Sequence, residues 1–160
     1  MSEENLHAVT ATAIVIKDGK YLITKRALTK KAFPGLWTVP GGNLELSDYK
    51  EKPKDTSAHW YNILEKLIKR EVKEETGLEI KNIGYLTSIT FIKPNGIPGL
   101  IFSFFADYDS GEISLNEESV DYAWVSLEEA KNYELIEGIY EELIMLDKLL
   151  KENKFEEWRK

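Results

Sequence analysis

The 160-residue chain carries 28 Asp+Glu against 21 Lys+Arg, a formal charge of −7, with two histidines and no cysteine. That length buries a core without cross-links, and the missing cysteine excludes disulfide frameworks, thiol nucleophiles and thiolate zinc sites. The acidic balance, with no basic stripe, excludes polymeric nucleic acid as the main partner, but not a small anion accompanied by a divalent cation. At 42% hydrophobic and 31% charged residues the composition is that of a globular chain, not a disordered one. The start, Met1-Ser2-Glu3-Glu4-Asn5, has neither the basic flank nor the apolar run of a secretory signal, and no apolar stretch approaches the roughly 20 residues that span a bilayer. A cytoplasmic protein without a membrane partner is the expectation.

Residues Ala8 to Ile16 are small and β-branched, the pattern of a strand buried on both faces. Lys17-Asp18-Gly19-Lys20 is hairpin-turn chemistry, and Tyr21 to Arg26 reads as the returning strand. A looser segment, Ala27 to Pro34, leads to a short apolar run, Leu36-Trp37-Thr38-Val39, closed by Pro40-Gly41-Gly42. Asn43 to about Lys54 is polar and reads as a loop. Asp55-Thr56-Ser57 offers N-cap residues for a long helix that ends at Gly77. Two β runs follow, Glu79 to Ile92 and Leu100 to Tyr108, with Pro94-Asn95-Gly96 and Pro98-Gly99 between them. Ser119 to Val125 is a further strand, Ser126-Leu127-Glu128-Glu129 has capping-box spacing, and residues 133–152 form an amphipathic C-terminal helix. No linker or repeat divides the chain, so one mixed α/β domain over residues 1–160 is expected.

The segment Leu64 to Leu78 carries the chemistry. At about 100° per residue, with Leu64 at zero, Leu67, Ile68 and Val72 fall at roughly 300°, 40° and 80°, and form the core-facing stripe. Glu71, Glu74 and Glu75 fall at roughly 340°, 280° and 20°, along that stripe instead of opposite it. A solvated glutamate face would lie on the other side of the helix. Two carboxylates about 4 Å apart repel by roughly 4 kcal/mol at an effective dielectric near 20, and the helix C-terminus adds to the penalty. Arg70 supplies one compensating charge for three carboxylates. An all-oxygen site for a hard divalent ion, Mg²⁺ or Mn²⁺, accounts for the pattern.

Gly42 and the run Arg70-Glu71-Val72-Lys73-Glu74-Glu75-Thr76-Gly77-Leu78 resemble the Nudix box, G-x5-E-x7-R-E-U-x-E-E-x-G-U with U apolar. The second half matches at every specified position. The resemblance extends over about residues 8–150, through the approach Pro34 to Gly42, Arg26 and the segment Trp124 to Glu129. The first half departs from the pattern. Asp48 stands six residues after Gly42, where the family has glutamate, and Arg70 lies 22 residues beyond it instead of eight. The box is thus interrupted by 14 residues, an insertion at about 46–60. Asp48 or Asp55 then takes the place of the glutamate that orients the arginine, and Tyr49, His59 and Trp60 are candidates to border a substrate.

The resemblance implies an α+β type of α/β fold, an α/β/α sandwich around a mixed β-sheet. It also implies metal-dependent hydrolysis of a pyrophosphate bond in a nucleoside diphosphate derivative, with a nucleoside triphosphate giving monophosphate and pyrophosphate as the leading case. Position by position, Glu74, Glu75 and the Gly41 carbonyl would be metal ligands, and Glu71 a third ligand or the group that activates the water. Arg70 would hold the glutamates and Arg26 would reach a phosphate. A loop glutamate, Glu118 with Glu117 as its rival, would be a base or ligand. Phe33, Trp37, Tyr85, Phe91 and Trp124 all offer a ring to a base, with Trp37 taken as the substrate-binding one, although rings in strands also serve as core. The expected partner is a small nucleotide, and the chain is a monomer or homodimer. The alternative is a non-catalytic nucleotide sensor on the same fold, which the three retained glutamates disfavour.

Overall fold

The computed structural model describes residues 3–159; Met1 and Ser2 of the polar start, and Lys160, lie outside the described residues. Strand β1 (Ala8–Lys17) is the spine of a seven-stranded mixed sheet. It pairs in parallel with β6 (Pro98–Ser110) over nine residue pairs, from Ala8–Gly99 to Ile16–Asp107. Its other edge is shared: β4 (Gly41–Asn43) takes the N-terminal half and β2 (Lys20–Arg26) the C-terminal end. The hairpin to β2 turns at Asp18 and Gly19, both at positive φ (50° and 74°), as a primed two-residue turn requires. β2 also pairs with β3 (Trp37–Thr38) and β7 (Ser119–Val125), and β6 with β5 (Glu79–Ile92).

The sheet separates two apolar layers. Ala11, Ala13 and Val15 of β1 meet Leu67, Ile68 and Val72 of α1 (Ile63–Thr76) on one face. Ile14, Tyr21 and Ile23 meet Leu143, Leu146 and Leu149 of α3 (Ile139–Glu152) on the other. This is the expected layered α/β arrangement around a mixed sheet. The short helix α2 (Leu127–Ala130) starts with the anticipated capping box: Glu129 N–H donates to Ser126 Oγ at 3.1 Å, and Ser126 N–H donates to Glu129 Oε2 at 2.8 Å.

Two helix starts differ from the expectation. α1 begins at Ile63, not near Asp55. The residues expected to cap it close a local loop instead, an alternative that short polar side chains offer the backbone. Asp55 Oδ2 accepts from Tyr61 N–H at 2.8 Å, Thr56 Oγ1 accepts from His59 N–H at 3.0 Å, and Trp60 Nε1–H donates to the Lys52 carbonyl at 2.9 Å. The Trp60 ring rests against Tyr49, with centroids 5.3 Å apart. α3 begins at Ile139 rather than 133, because residues 134–136 are recruited by β3. Trp37 N–H donates to the Glu134 carbonyl and Ile136 N–H to the Trp37 carbonyl, each at 2.9 Å, before Gly138 at φ 97° redirects the chain.

Candidate active site

The last two turns of α1 place two carboxylates against β4. Glu71 (9% exposed) and Glu75 (7% exposed) are buried, whereas the Glu74 side chain is 55% exposed. The helix stops at Gly77, whose φ of 78° suits glycine, and the loop after β6 caps its open carbonyls. Ser114 N–H donates to the Thr76 carbonyl at 2.9 Å and Asn116 N–H to that of Glu75 at 3.4 Å. This docking carries Glu118 to the helix. One oxygen each of Glu71, Glu75 and Glu118 lie within 4.8 Å of one another. Glu118, and not its rival Glu117, is the loop glutamate brought into the cluster, and Glu74 stands outside it.

Glycines make room for this approach. A Cβ on Gly42 would lie 2.3 Å from the Glu71 carboxyl carbon, and one on Gly41 would lie 2.4 Å from the Ala11 carbonyl. The box glycine is therefore needed because the Glu71 head group occupies its missing side chain. A hydrogen bond from the Gly41 backbone reaches Glu75.

Burial, then the charges of Glu118 and Glu71, push the Glu75 pKa up to about 8, against the Gly41 hydrogen bond and Lys30. Glu71 is also raised, by burial first, although Arg70 opposes the shift. Carboxylates crowded in this way are short of positive charge, and an all-oxygen donor set of this kind fits a hard divalent cation. Two basic residues supply part of it. Lys30 Nζ lies 2.6 Å from Glu118 Oε1. Arg70 Nε lies 2.9 Å from Asp48 Oδ1, and its Nη1 lies 3.0 Å from Glu71 Oε1 and 3.1 Å from Glu74 Oε2. Burial works against the Arg70 charge, but Glu71, Asp48 and Glu74 outweigh it and its pKa is raised.

Of the two aspartates considered for this place, the fold brings Asp48 to Arg70. Asp48, with a side chain only 10% exposed, pairs with Arg70, whereas Asp55 makes an exposed pair with Lys66 at 3.7 Å. A 3-10 turn over Leu46–Asp48 aims it, with Glu45 N–H donating to Asp48 Oδ2 at 2.8 Å.

A cleft of about 590 Å³ opens beside the cluster, a size typical of small-molecule sites. Arg26 lines it, with Nε donating to the Ala32 carbonyl at 2.8 Å. Trp37 does not; its ring packs edge-on against Tyr133 at 4.8 Å in the α3-side core. The structure therefore does not bring Trp37, expected at the substrate, to this cleft, and Phe33 and Phe91 are the rings that line it. Tyr49, His59 and Trp60 are not among its lining residues either, being engaged within the insertion. Lys30 carries no such signal in the sequence, because a lysine in a polar loop reads as solvated, and neither does Glu142, an acidic residue on an otherwise core-facing helix stripe.

Comparison with known proteins agrees with this geometry. The NUDIX domain family model matches residues 6–145, and the chain belongs to that family. It is a Nudix hydrolase, an enzyme of a family that generally works with divalent metal ions. It is similar to the nucleoside triphosphatase NudI of Klebsiella pneumoniae strain 342, at 30% identity over 136 residues, covering 76% of this chain and 84% of the relative. Among solved structures, the MutT NUDIX hydrolase of Burkholderia pseudomallei superposes with a TM-score of 0.68 at 22% identity, covering 88% of this chain and 98% of that one. The NUDIX domain of Shewanella oneidensis NrtR, solved with ADP ribose, superposes with a TM-score of 0.65 at 18% identity, covering 93% and 89%. Among the described residues, no helix is long and apolar enough to cross a membrane.

Proposed function

We propose that this chain hydrolyses a nucleoside triphosphate to the monophosphate and pyrophosphate with Mg²⁺, or Mn²⁺ in its place. The observation that carries the reading is the approach of Glu71, Glu75 and Glu118 to within 4.8 Å, beside a cleft of nucleotide size. The family membership and the printed activity of the NudI relative support it; the ADP ribose of the NrtR neighbour marks nucleoside diphosphate derivatives as the wider class. The chain is read as one domain over 1–160 with an insertion at about 46–60, acting in the cytoplasm.

The cation would be held by Glu71 and Glu75, with Glu74 and the Gly41 carbonyl as further oxygen ligands, and Glu118 would face them as the base. When bound, it neutralises phosphate oxygens and polarises the bond to be broken. Arg70, anchored on Asp48, holds Glu71 and Glu74 in place. Arg26 and Lys30, from the strand end and loop across the cleft, pair with phosphate oxygens. Glu118 accepts the proton of the attacking water; the new oxygen–phosphorus bond forms as the P–O–P bridge breaks and pyrophosphate leaves.

The test is product analysis over a panel of nucleoside triphosphates and ADP-ribose with Mg²⁺, for wild type and Glu75→Gln. Triphosphates should yield monophosphate and pyrophosphate, with turnover about 100-fold lower in the variant. Nucleotides that bind without being cleaved would overturn the reading in favour of a sensor.

A further inference from the structure

The cleft also holds buried polar atoms that the acid cluster does not use. Glu142 of α3 is 4% exposed, and Thr24 of β2 is 1% exposed. Both line the cleft, yet Glu142 Oε1 and Thr24 Oγ1 have no hydrogen-bond partner. Burying such groups unpaired is unfavourable, more so for a carboxylate. The remainder of the Glu142 head group is held in place. Ser103 hydrogen-bonds to it and accepts from Thr12 Oγ1 at 3.3 Å, so the two hydroxyls form a chain directed at the carboxylate. Glu142 adjoins Leu143 on a buried helix face, where an apolar residue would pack without this cost.

The register relates this group to the hydrolytic end. Thr12 pairs with Gly41 on one side and with Ser103 on the other, so all three sit in one row across the sheet. Gly41 backs Glu75, and Ser103 backs Glu142. Two inter-strand steps separate them, about 10 Å, a span that a sugar and a base bridge. Ile89 and Phe91 of β5 and Ile101 of β6 line the cleft as well. Phe91 lies across Gly99, where a Cβ would come within 2.6 Å of its ring, and gives a flat apolar surface on which a base stacks.

Taking the ligand to be a nucleotide, as the proposed function has it, we propose that Glu142 and Thr24 are specificity residues that read the base edge. Glu142 Oε1 accepts from an exocyclic amino group, and the Thr24 hydroxyl pairs beside it. A carboxylate offers acceptors only, so a carbonyl in the amino position sets two acceptors against each other in a buried site. Amino-bearing bases are therefore favoured over counterparts in which a carbonyl or a hydrogen stands there. Sites built around a buried hydrogen-bonding group discriminate strongly against analogues that leave it unpaired.

The experiment is equilibrium binding of nucleoside monophosphates to the full chain. These lack the pyrophosphate bond, so turnover does not enter. CMP against UMP, and GMP against IMP, isolate the amino group. Wild type should bind CMP and GMP at least about 10-fold more tightly than UMP and IMP, the effect of one buried hydrogen bond. In Glu142→Gln the CMP:UMP ratio should fall to one or invert, because the amide N–H donates to the uracil carbonyl. Thr24→Val should weaken binding of all four. Wild-type ratios near one, no monophosphate binding at millimolar concentration, or an unchanged ratio in a folded Glu142→Gln each overturn the assignment. Should that variant fail to fold, the wild-type ratios decide alone. Discrimination in a protein that cleaves no triphosphate would remove the hydrolytic reading and leave the base subsite standing; cleavage without discrimination would do the reverse.

Discussion

Replacing Asp48 by Asn tests how the interrupted box is reassembled. The Asp48 carboxylate is 10% exposed and lies 2.9 Å from Arg70 Nε. Arg70 is itself a third exposed and holds Glu71 and Glu74 with its Nη1. Two unit charges 4 Å apart attract by about 4 kcal/mol at an effective dielectric of 20. Partial exposure of the arginine and the hydrogen bonds that Asn retains reduce this, so we expect a loss of about 1–2 kcal/mol. For a chain of this size that lowers the Tm by about 2–4 °C per kcal/mol. Activity should fall further than stability, because freeing Arg70 loosens Glu71 in the acid cluster; removing a partner that orients a ligand costs about 10–100-fold. The control is Asp55→Asn. Its pair with Lys66 is 3.7 Å long and about half exposed on both sides, and Asn keeps an acceptor for Tyr61 N–H. Thermal melts and kcat/KM on both variants decide. Equal damage from Asp55→Asn, or none from Asp48→Asn, would refute the assignment.

Three further outcomes follow from the same geometry. Gly42→Ala should leave the Tm nearly unchanged but lower kcat/KM by about 100-fold, because the new methyl group displaces the Glu71 carboxylate, 2.3 Å from where it would stand; normal activity would show that Glu71 is not needed where it lies. Glu75 is raised from 4.5 to about 8 by burial and by its acidic neighbours, so the folded metal-free protein binds more protons than the unfolded chain between those values. Its contribution to stability is therefore lost as pH rises through that window, and added Mg²⁺ should raise the Tm more at pH 8 than at pH 6; equal increments would contradict this. Glu75→Gln should raise the metal-free Tm at pH 8 while abolishing the Mg²⁺-induced rise, the trade expected where a functional site stores electrostatic repulsion; a lower metal-free Tm would count against it.

Much of this was legible in the sequence because it is written in local chemistry. The Asp18-Gly19 turn, the Ser126 capping box and the Gly77 stop each specify their structure within a few residues, and the wheel position of Glu71 and Glu75 put them on the buried side. The same wheel did not separate Glu74, which the structure turns outward to Arg70, because 100° periodicity does not resolve the margin of a stripe. The start of α1 is not legible in its cap candidates, because Asp55 and Thr56 bond the insertion's own backbone as readily as a helix end. Residues 133–138 depart from helix because pairing with Trp37, almost a hundred positions away, outweighs an amphipathic pattern. Lys30 and Glu142 acquire meaning only through partners far along the chain, Glu118 and Ser103.

A divalent cation that completes the acid cluster must displace the proton held there. Calorimetric titration of Mn²⁺ into the wild-type chain at pH 7, repeated in buffers of different ionisation enthalpy, counts the protons released on binding. With Glu75 at about 8, roughly nine-tenths of a proton should leave that group, and the release should vanish above pH 9 and in Glu75→Gln. Binding with no proton release, or binding of equal strength in Glu75→Gln, would contradict it.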